Sequence, residues 1–143
     1  MSIVSVGYEG VTLVKLVEDL KLRGVQTLVD VRLNAISRKV GFSKKALSAA
    51  LEDSGIHYLH FPELGNERDN RPGYKELSTP SGLAARDRFR LHLKSELAGE
   101  RLADLAQLAV RHRIAVFCYE KDECHCHRQQ VIEGIVASGN AGC

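Results

Sequence analysis

The sequence predicts an α/β fold: a mainly parallel sheet of about four strands with helices on both faces. Three observations lead there. Four short β-rich runs, "SIVSVG", "VQTLVDVR", "IHYLHF" and "IAVFC", alternate with segments whose apolar residues recur at helical spacing. The second run reads as a buried strand, as expected when helices cover both sides of a parallel sheet. No repeat, low-complexity tract or linker divides the 143 residues, so one domain spanning 1–143 is expected.

The elements follow in chain order. "SIVSVG" ends in Gly7 and forms the first strand. In "TLVKLVEDLKLRG", Leu13, Leu16, Val17 and Leu20 share one helical face; Thr12 can cap the start and Gly24 can stop the helix in the left-handed conformation. "VQTLVDVR" ends near Asp30 to Arg32. Ser43 opens a second helix, "KKALSAALEDSG", which Gly55 closes, and "IHYLHF" is a third strand of alternating character. The polar stretch "PELGNERDNRPGY" is a long loop, and such loops inside a domain are usually functional or mobile. Two helices are expected next, from about Ser81 to Leu97 and from Glu100 to His112. "IAVFC" is the fourth strand. "HRQQVIEGIVAS" is the last helix, with Val131, Ile135 and Val136 on its face.

With 44% hydrophobic and 27% charged residues, the composition is that of a soluble globular protein. No stretch of about 18 apolar residues offers a membrane span. The start "MSIVSVGYEG" lacks a basic region before an apolar run, so no signal peptide is expected and the cytoplasm is the expected compartment. Thiols stay reduced there, and clustered cysteines then point to metal or chemistry rather than disulfides. Cys143, at the end of the sequence, is given no role. The net charge of +2 says little about partners, but its distribution says more. Arg32, Arg38, Lys39, Lys44 and Lys45 occur together without an acidic residue; Arg86, Arg88, Arg90 and Lys94 are diluted by Asp87 and Glu96. A solvated surface and an anion-binding face explain these groups equally well.

In parallel sheets ligands sit beyond the carboxyl ends of the strands. Those ends carry Gly7-Tyr8-Glu9, Asp30-Val31-Arg32, His60 and Cys118-Tyr119-Glu120, which brings the polar groups of interest to one edge. The stretch "FCYEKDECHCHRQQVIEGI" adds three of the four cysteines and two of the six histidines. It admits three readings. Cys118, Cys124, Cys126 and either His125 or His127 could ligate zinc, although zinc sites usually use two separated ligand pairs and no second pair exists. Cys126, at the expected start of the last helix beside His127 and Arg128, could be a reactive thiolate. Cys118 does not open a phosphate-binding C-x5-R loop, because Cys124 stands where the arginine should. Third, the helix start and Arg128 could hold a phosphate or carboxylate, with Cys118 and Cys126 as small packing residues. Cys124 reads as structural. Glu120, Glu9 and Asp30, each at a strand end, are candidate general bases or groups that orient an arginine.

The segments "SVGYEG", "LVDVRLNAISRKVGFSKKAL", "GIHYLHFPELGNERDN" and "VFCYEKDECHCHRQQV" resemble, in this order, the landmarks of the domain of unknown function 488 family. Matching positions are Gly7, Tyr8, Asp30, Arg32, Ser37, Phe42, Leu64 to Asn66, Cys118, Glu120, Cys126, His127 and Arg128. Cys124 and His125 fall in a variable spacer, which weakens a four-ligand zinc site. Asn34 and Ala35 stand where relatives often carry a proline. The resemblance implies a Rossmann-like domain with a polar pocket and an association with nucleotides or nucleic acids.

The functional expectation is an enzyme acting on a nucleotide or nucleic acid, by hydrolysis or glycosidic-bond chemistry. Asp30, Glu120, Glu9, Cys126 and His127 are the candidate catalytic residues. Gly7, Tyr8, Arg32, Ser37, Asn66, Cys118 and Arg128 would bind substrate or phosphate, with Tyr8 stacking on a base. Arg38, Lys39, Lys44 and Lys45 would track a polymer backbone. Neither a metal nor a cofactor is assigned. A non-catalytic nucleotide- or anion-sensing module, and a thiol or metal protein, are the alternatives.

Overall fold

The computed structural model describes residues 1–141; Cys143 lies outside them. Four parallel strands, β1 (Ser2–Gly7), β2 (Thr27–Asp30), β3 (His57–His60) and β4 (Arg113–Cys118), form one sheet in the order β1-β4-β2-β3. The architecture is Rossmann-like. Helices α1 (Leu13–Leu22) and α2 (Lys44–Asp53) connect the first three strands. Helices α3 (Pro80–Leu93) and α4 (Glu96–Arg111) lead back to β4, and α5 (Arg128–Ala141) follows it. Among the described residues no helix is long and apolar enough to cross a membrane.

The period-2 pattern of the strands sorts the core into two layers. Ala115 and Phe117 of β4 and Leu28 of β2 pack with Leu16 and Leu20 of α1 and Leu47 and Leu51 of α2. Ile114, Val116 and Cys118, with Val29, pack on the opposite face against Phe89 of α3, Leu102 and Leu105 of α4, and Val131 and Ile135 of α5. Chain direction explains the division. The β1-to-β2 and β2-to-β3 connections run one way across the sheet and the β3-to-β4 connection runs back. Crossovers of one hand therefore place their helices on opposite faces.

Local chemistry sets the boundaries. Thr12 Oγ1 accepts the Lys15 N–H at the start of α1, and Gly24 takes a φ of 68° just past its end. The α3–α4 break lies earlier than the sequence reading placed it: Lys94 ends α3, and Ser95 accepts the Ala98 N–H as the cap of α4. Ser43 precedes α2 as expected, but its hydroxyl accepts the Ser37 N–H and donates to the Ser37 carbonyl. The 62–75 stretch is ordered into three short 3-10 turns, Pro62–Leu64, Arg68–Asn70 and Pro72–Lys75. Val136, expected on the buried face of α5, is 41% exposed, because its neighbours Val131 and Ile135 already define that face.

Candidate functional site

Strand register brings the polar ends together. Gly7 pairs with Cys118, while Asp30 pairs with Phe117 on one side and His60 on the other. The chain leaves β2 toward α2 on one face and leaves its neighbour β4 toward α5 on the other, opening a crevice between them. A cavity of about 120 Å³ occupies that crevice. Cys118, Glu120, Cys126 and His127 line it, together with Arg32 and Asn66.

Because Ile114, Val116 and Cys118 alternate toward the α5 face, the Cys118 side chain meets the residues that enter α5. His127 Nδ1 lies 3.9 Å from Cys118 Sγ and 3.5 Å from Cys126 Sγ. Its Nε2 is 2.8 Å from the Val31 carbonyl oxygen. A carbonyl only accepts, so Nε2 carries a hydrogen, and Nδ1 faces the two sulfurs, with a lone pair in the neutral ring and an N–H in the protonated one. The imidazole also packs edge-on to Phe89 at 5.1 Å between centroids. A hydrogen bond from the Cys126 thiol holds Cys118 well below the usual thiol range; burial opposes this, and the charge and N–H of His127 reinforce it. Burial, followed by the adjacent Cys118 thiolate, pushes Cys126 up. Burial alone would lower His127, but the Cys118 charge and hydrogen bond outweigh it and the pKa rises. Burial and the Cys118 charge also raise Glu120, whose Oε2 lies 3.7 Å from Cys118 Sγ. A thiol, an imidazole and a carboxyl thus meet at one cavity. Cys118, Cys126 and His127 are also the one group of potential soft ligands found among the described residues, their ligating atoms all within 4.8 Å of one another.

Other residues expected at the site hold the scaffold. Asp30 is fully buried. Its carboxylate accepts Arg32 Nε at 2.9 Å, Arg32 Nη2 at 2.7 Å and the Tyr58 hydroxyl at 2.6 Å. A carboxylate with these partners orients Arg32 and does not line the cavity, where a catalytic role was expected of it. Arg32 reaches the cavity wall but spends Nη1 on the Phe42 carbonyl at 2.7 Å and the Tyr8 hydroxyl at 3.4 Å. Arg128, 1% exposed, points back into the fold and donates to Ser5 Oγ at 2.6 Å, the Glu120 carbonyl at 2.9 Å and the Lys121 carbonyl at 3.4 Å. It ties down the loop after β4 and does not face the cavity as a phosphate ligand. The Tyr8 ring is 4% exposed and stacked on Phe42 and Phe117, so the expected base stacking has no open ring face. Gly7 contributes by having no side chain: a Cβ there would lie 1.9 Å from the Glu120 carbonyl oxygen.

Asn66 lines the cavity and accepts the Asn70 side-chain amide at 2.9 Å. Glu9 lies outside the cavity and accepts the Lys121 N–H at 3.1 Å. Ser37 accepts the Lys39 N–H at 3.1 Å, and Lys39 Nζ donates to the Tyr8 carbonyl at 3.0 Å, so both brace the loop before α2. Arg38, Lys44 and Lys45 are exposed and line neither the cavity nor its adjoining groove. Cys124 is partly buried away from the other two sulfurs, and the His125 ring contacts the Tyr74 carbonyl at 3.0 Å.

The sequence reading missed the groove that continues the cavity outward. Arg68 and Lys75, from the second and third 3-10 turns after β3, and Arg71, between those turns, line it with Tyr119, which is 45% exposed. None of the three cations forms an ion pair among the described residues; Arg71 donates only Nε, to the Asn66 carbonyl at 3.2 Å. Of the acids that share the groove, Glu9 and Asp122 are occupied by backbone N–H groups. The available signal was three cations within eight residues of a long loop.

Fold and site together define a doubly wound α/β protein with a thiol–imidazole–carboxyl cavity at its topological switch point. The family model described as "Domain of unknown function DUF488" matches residues 12–135, and the chain belongs to that family. Comparisons with curated proteins and with solved structures found no match.

Proposed function

We propose that the cavity is the active site of an enzyme acting on a nucleotide or nucleic acid, by hydrolysis or glycosidic-bond chemistry. One observation carries this reading: a thiol–imidazole–carboxyl cluster opens onto a groove with three cations that form no ion pair among the described residues. Such a groove suits phosphate, which Arg71 could grip through its two terminal nitrogens. Tyr119 offers an exposed aromatic surface for a base at the shared mouth. Glu120, shifted toward its neutral form, is the candidate proton donor to a leaving group, and His127 with Cys118 the candidate base. Because the site uses free thiols, a reducing compartment such as the cytoplasm suits it.

The test is a titration with mononucleotides, single-stranded and duplex DNA, and RNA at two salt concentrations, followed by analysis of each ligand for cleavage. Mononucleotide binding that Arg71→Ala abolishes, with turnover lost in Glu120→Gln, is the expected result. A steep fall in affinity with salt would identify a polymer as the substrate. Binding without turnover would make the protein a sensing module. Failure of every nucleotide and nucleic acid to bind would refute the reading.

A further inference from the structure

We propose that Cys118 Sγ, Cys126 Sγ and His127 Nδ1 form a three-ligand site for a divalent metal of the zinc class, with its fourth position open to the cavity. The catalytic use of this site rests on the enzymatic reading above, whereas the binding of the metal does not.

The first argument is spacing in three dimensions. Tetrahedral zinc with bonds of ~2.3 Å to sulfur and ~2.0 Å to nitrogen separates a sulfur from a nitrogen ligand by about 3.5 Å. The observed separations from His127 Nδ1 are 3.5 Å to Cys126 Sγ and 3.9 Å to Cys118 Sγ. Ligand pairs along the chain argued against zinc. The fold instead supplies Cys118 from the end of β4 and Cys126 with His127 from the entry into α5.

The second argument is the tautomer. Metal-ligating histidines characteristically donate their other ring N–H to a carbonyl or carboxylate. Val31, in the backbone segment that leaves β2, provides that acceptor at 2.8 Å and aims Nδ1 at the sulfurs. The third is charge: metal binding releases to solvent the protons held among the two sulfurs and His127 Nδ1, and two thiolates and a neutral imidazole with a divalent ion leave the buried site without net charge. The fourth is access. All three ligand residues and Glu120 line one cavity, so a water or substrate atom can take the remaining position next to a carboxyl group. Cys124 and His125 take no part: Cys124 lies outside the cluster, and His125 Nδ1 is engaged with the Tyr74 carbonyl.

The experiment uses the full chain, reduced and stripped of metal with a chelator, then titrated with Co2+ and Zn2+. The expected result is one Co2+ per chain, with sulfur-to-metal charge-transfer absorption and the visible bands of tetrahedral cobalt. Cys126→Ser should weaken binding by about tenfold or more, while Cys124→Ser should not change it. If Cys126→Ser fails to fold, alkylation of the unsubstituted chain still decides: Zn2+ should protect Cys118 and Cys126, but not Cys124, as mapped by mass spectrometry. No stoichiometric Co2+, or alkylation of Cys118 and Cys126 at rates unchanged by Zn2+, would overturn the proposal. Nucleotide titration of the same samples separates the two ideas. Metal binding without nucleotide binding upholds this site and refutes the nucleotide reading; nucleotide binding without metal binding does the reverse.

Discussion

His127 Nε2 lies 2.8 Å from the carbonyl oxygen of Val31, and this single contact joins the entry of α5 to the backbone leaving β2. It orients the imidazole toward Cys118 and Cys126 and satisfies a buried carbonyl. His127→Ala should remove both effects and the edge-on packing against Phe89. A loss of about 1–3 kcal/mol in folding free energy is expected, from an unsatisfied buried acceptor. Urea unfolding measures it; an unchanged midpoint would mean that the contact contributes nothing to the fold.

Asp30 and Arg32 form a buried pair with side chains 0% and 6% exposed. Asp30→Asn removes one charge and leaves the guanidinium unpaired, with an expected loss of about 3–5 kcal/mol. The decisive readout is the denaturation midpoint. A variant as stable as the parent but unable to turn over substrate would return Asp30 to a catalytic role.

Tyr58 donates its hydroxyl to Asp30 Oδ2 at 2.6 Å, and burial followed by that hydrogen bond raises its pKa above the ordinary tyrosine value. The folded state therefore holds the phenol proton more tightly than the unfolded state does. Its contribution is fully present below the unfolded pKa of about 10 and is lost as pH rises above that value toward the folded pKa. Stability should therefore fall as pH rises above about 10. Tyr58→Phe should flatten that slope, and an identical slope in the variant would assign it to other groups.

Arg71 and Arg128 should respond in opposite ways to the same substitution. Arg71→Ala is expected to fold normally and lose affinity for phosphate-bearing ligands, because its terminal nitrogens have no protein partner among the described residues. Arg128→Ala strips donors from Ser5 Oγ and the Glu120 and Lys121 carbonyls and should cost at least ~1.5–3 kcal/mol of stability. Thermal unfolding with isothermal titration of a mononucleotide separates them; the reverse pattern would restore Arg128 as the anion ligand.

Gly7→Ala places a methyl group against the Glu120 backbone. Backbone atoms cannot rotate aside as a side chain can, so the loop carrying Glu120 should shift at a cost of about 1–3 kcal/mol. Unfolding experiments and Co2+ titration of this variant should show lower stability and weaker binding; parental values for both would mean that the loop accommodates the methyl freely.

The architecture was legible in the sequence because its signals are local. The 3.6-residue and 2-residue periods identified helices and strands, and Thr12 and Gly24 marked the ends of α1. Parallel strands then put Tyr8, Arg32, Cys118 and Glu120 at one edge, before any contact between them was known. The α3–α4 break was misplaced because Ser95 resembles any serine until its hydroxyl is seen to accept the Ala98 N–H.

Charge alone could not tell a reactive group from a structural one. By itself the sequence determined the α/β fold and the sheet edge that carries the candidate site. Only the tertiary structure decided that Asp30 and Arg128 are engaged internally, that Arg68, Arg71 and Lys75 form no ion pair among the described residues, and that Cys126 rather than Cys124 joins Cys118 and His127. The physical reason is that availability depends on partners. Whether a charge or a thiol can meet a ligand is set by the atoms packed around it, and these come from segments distant in the chain.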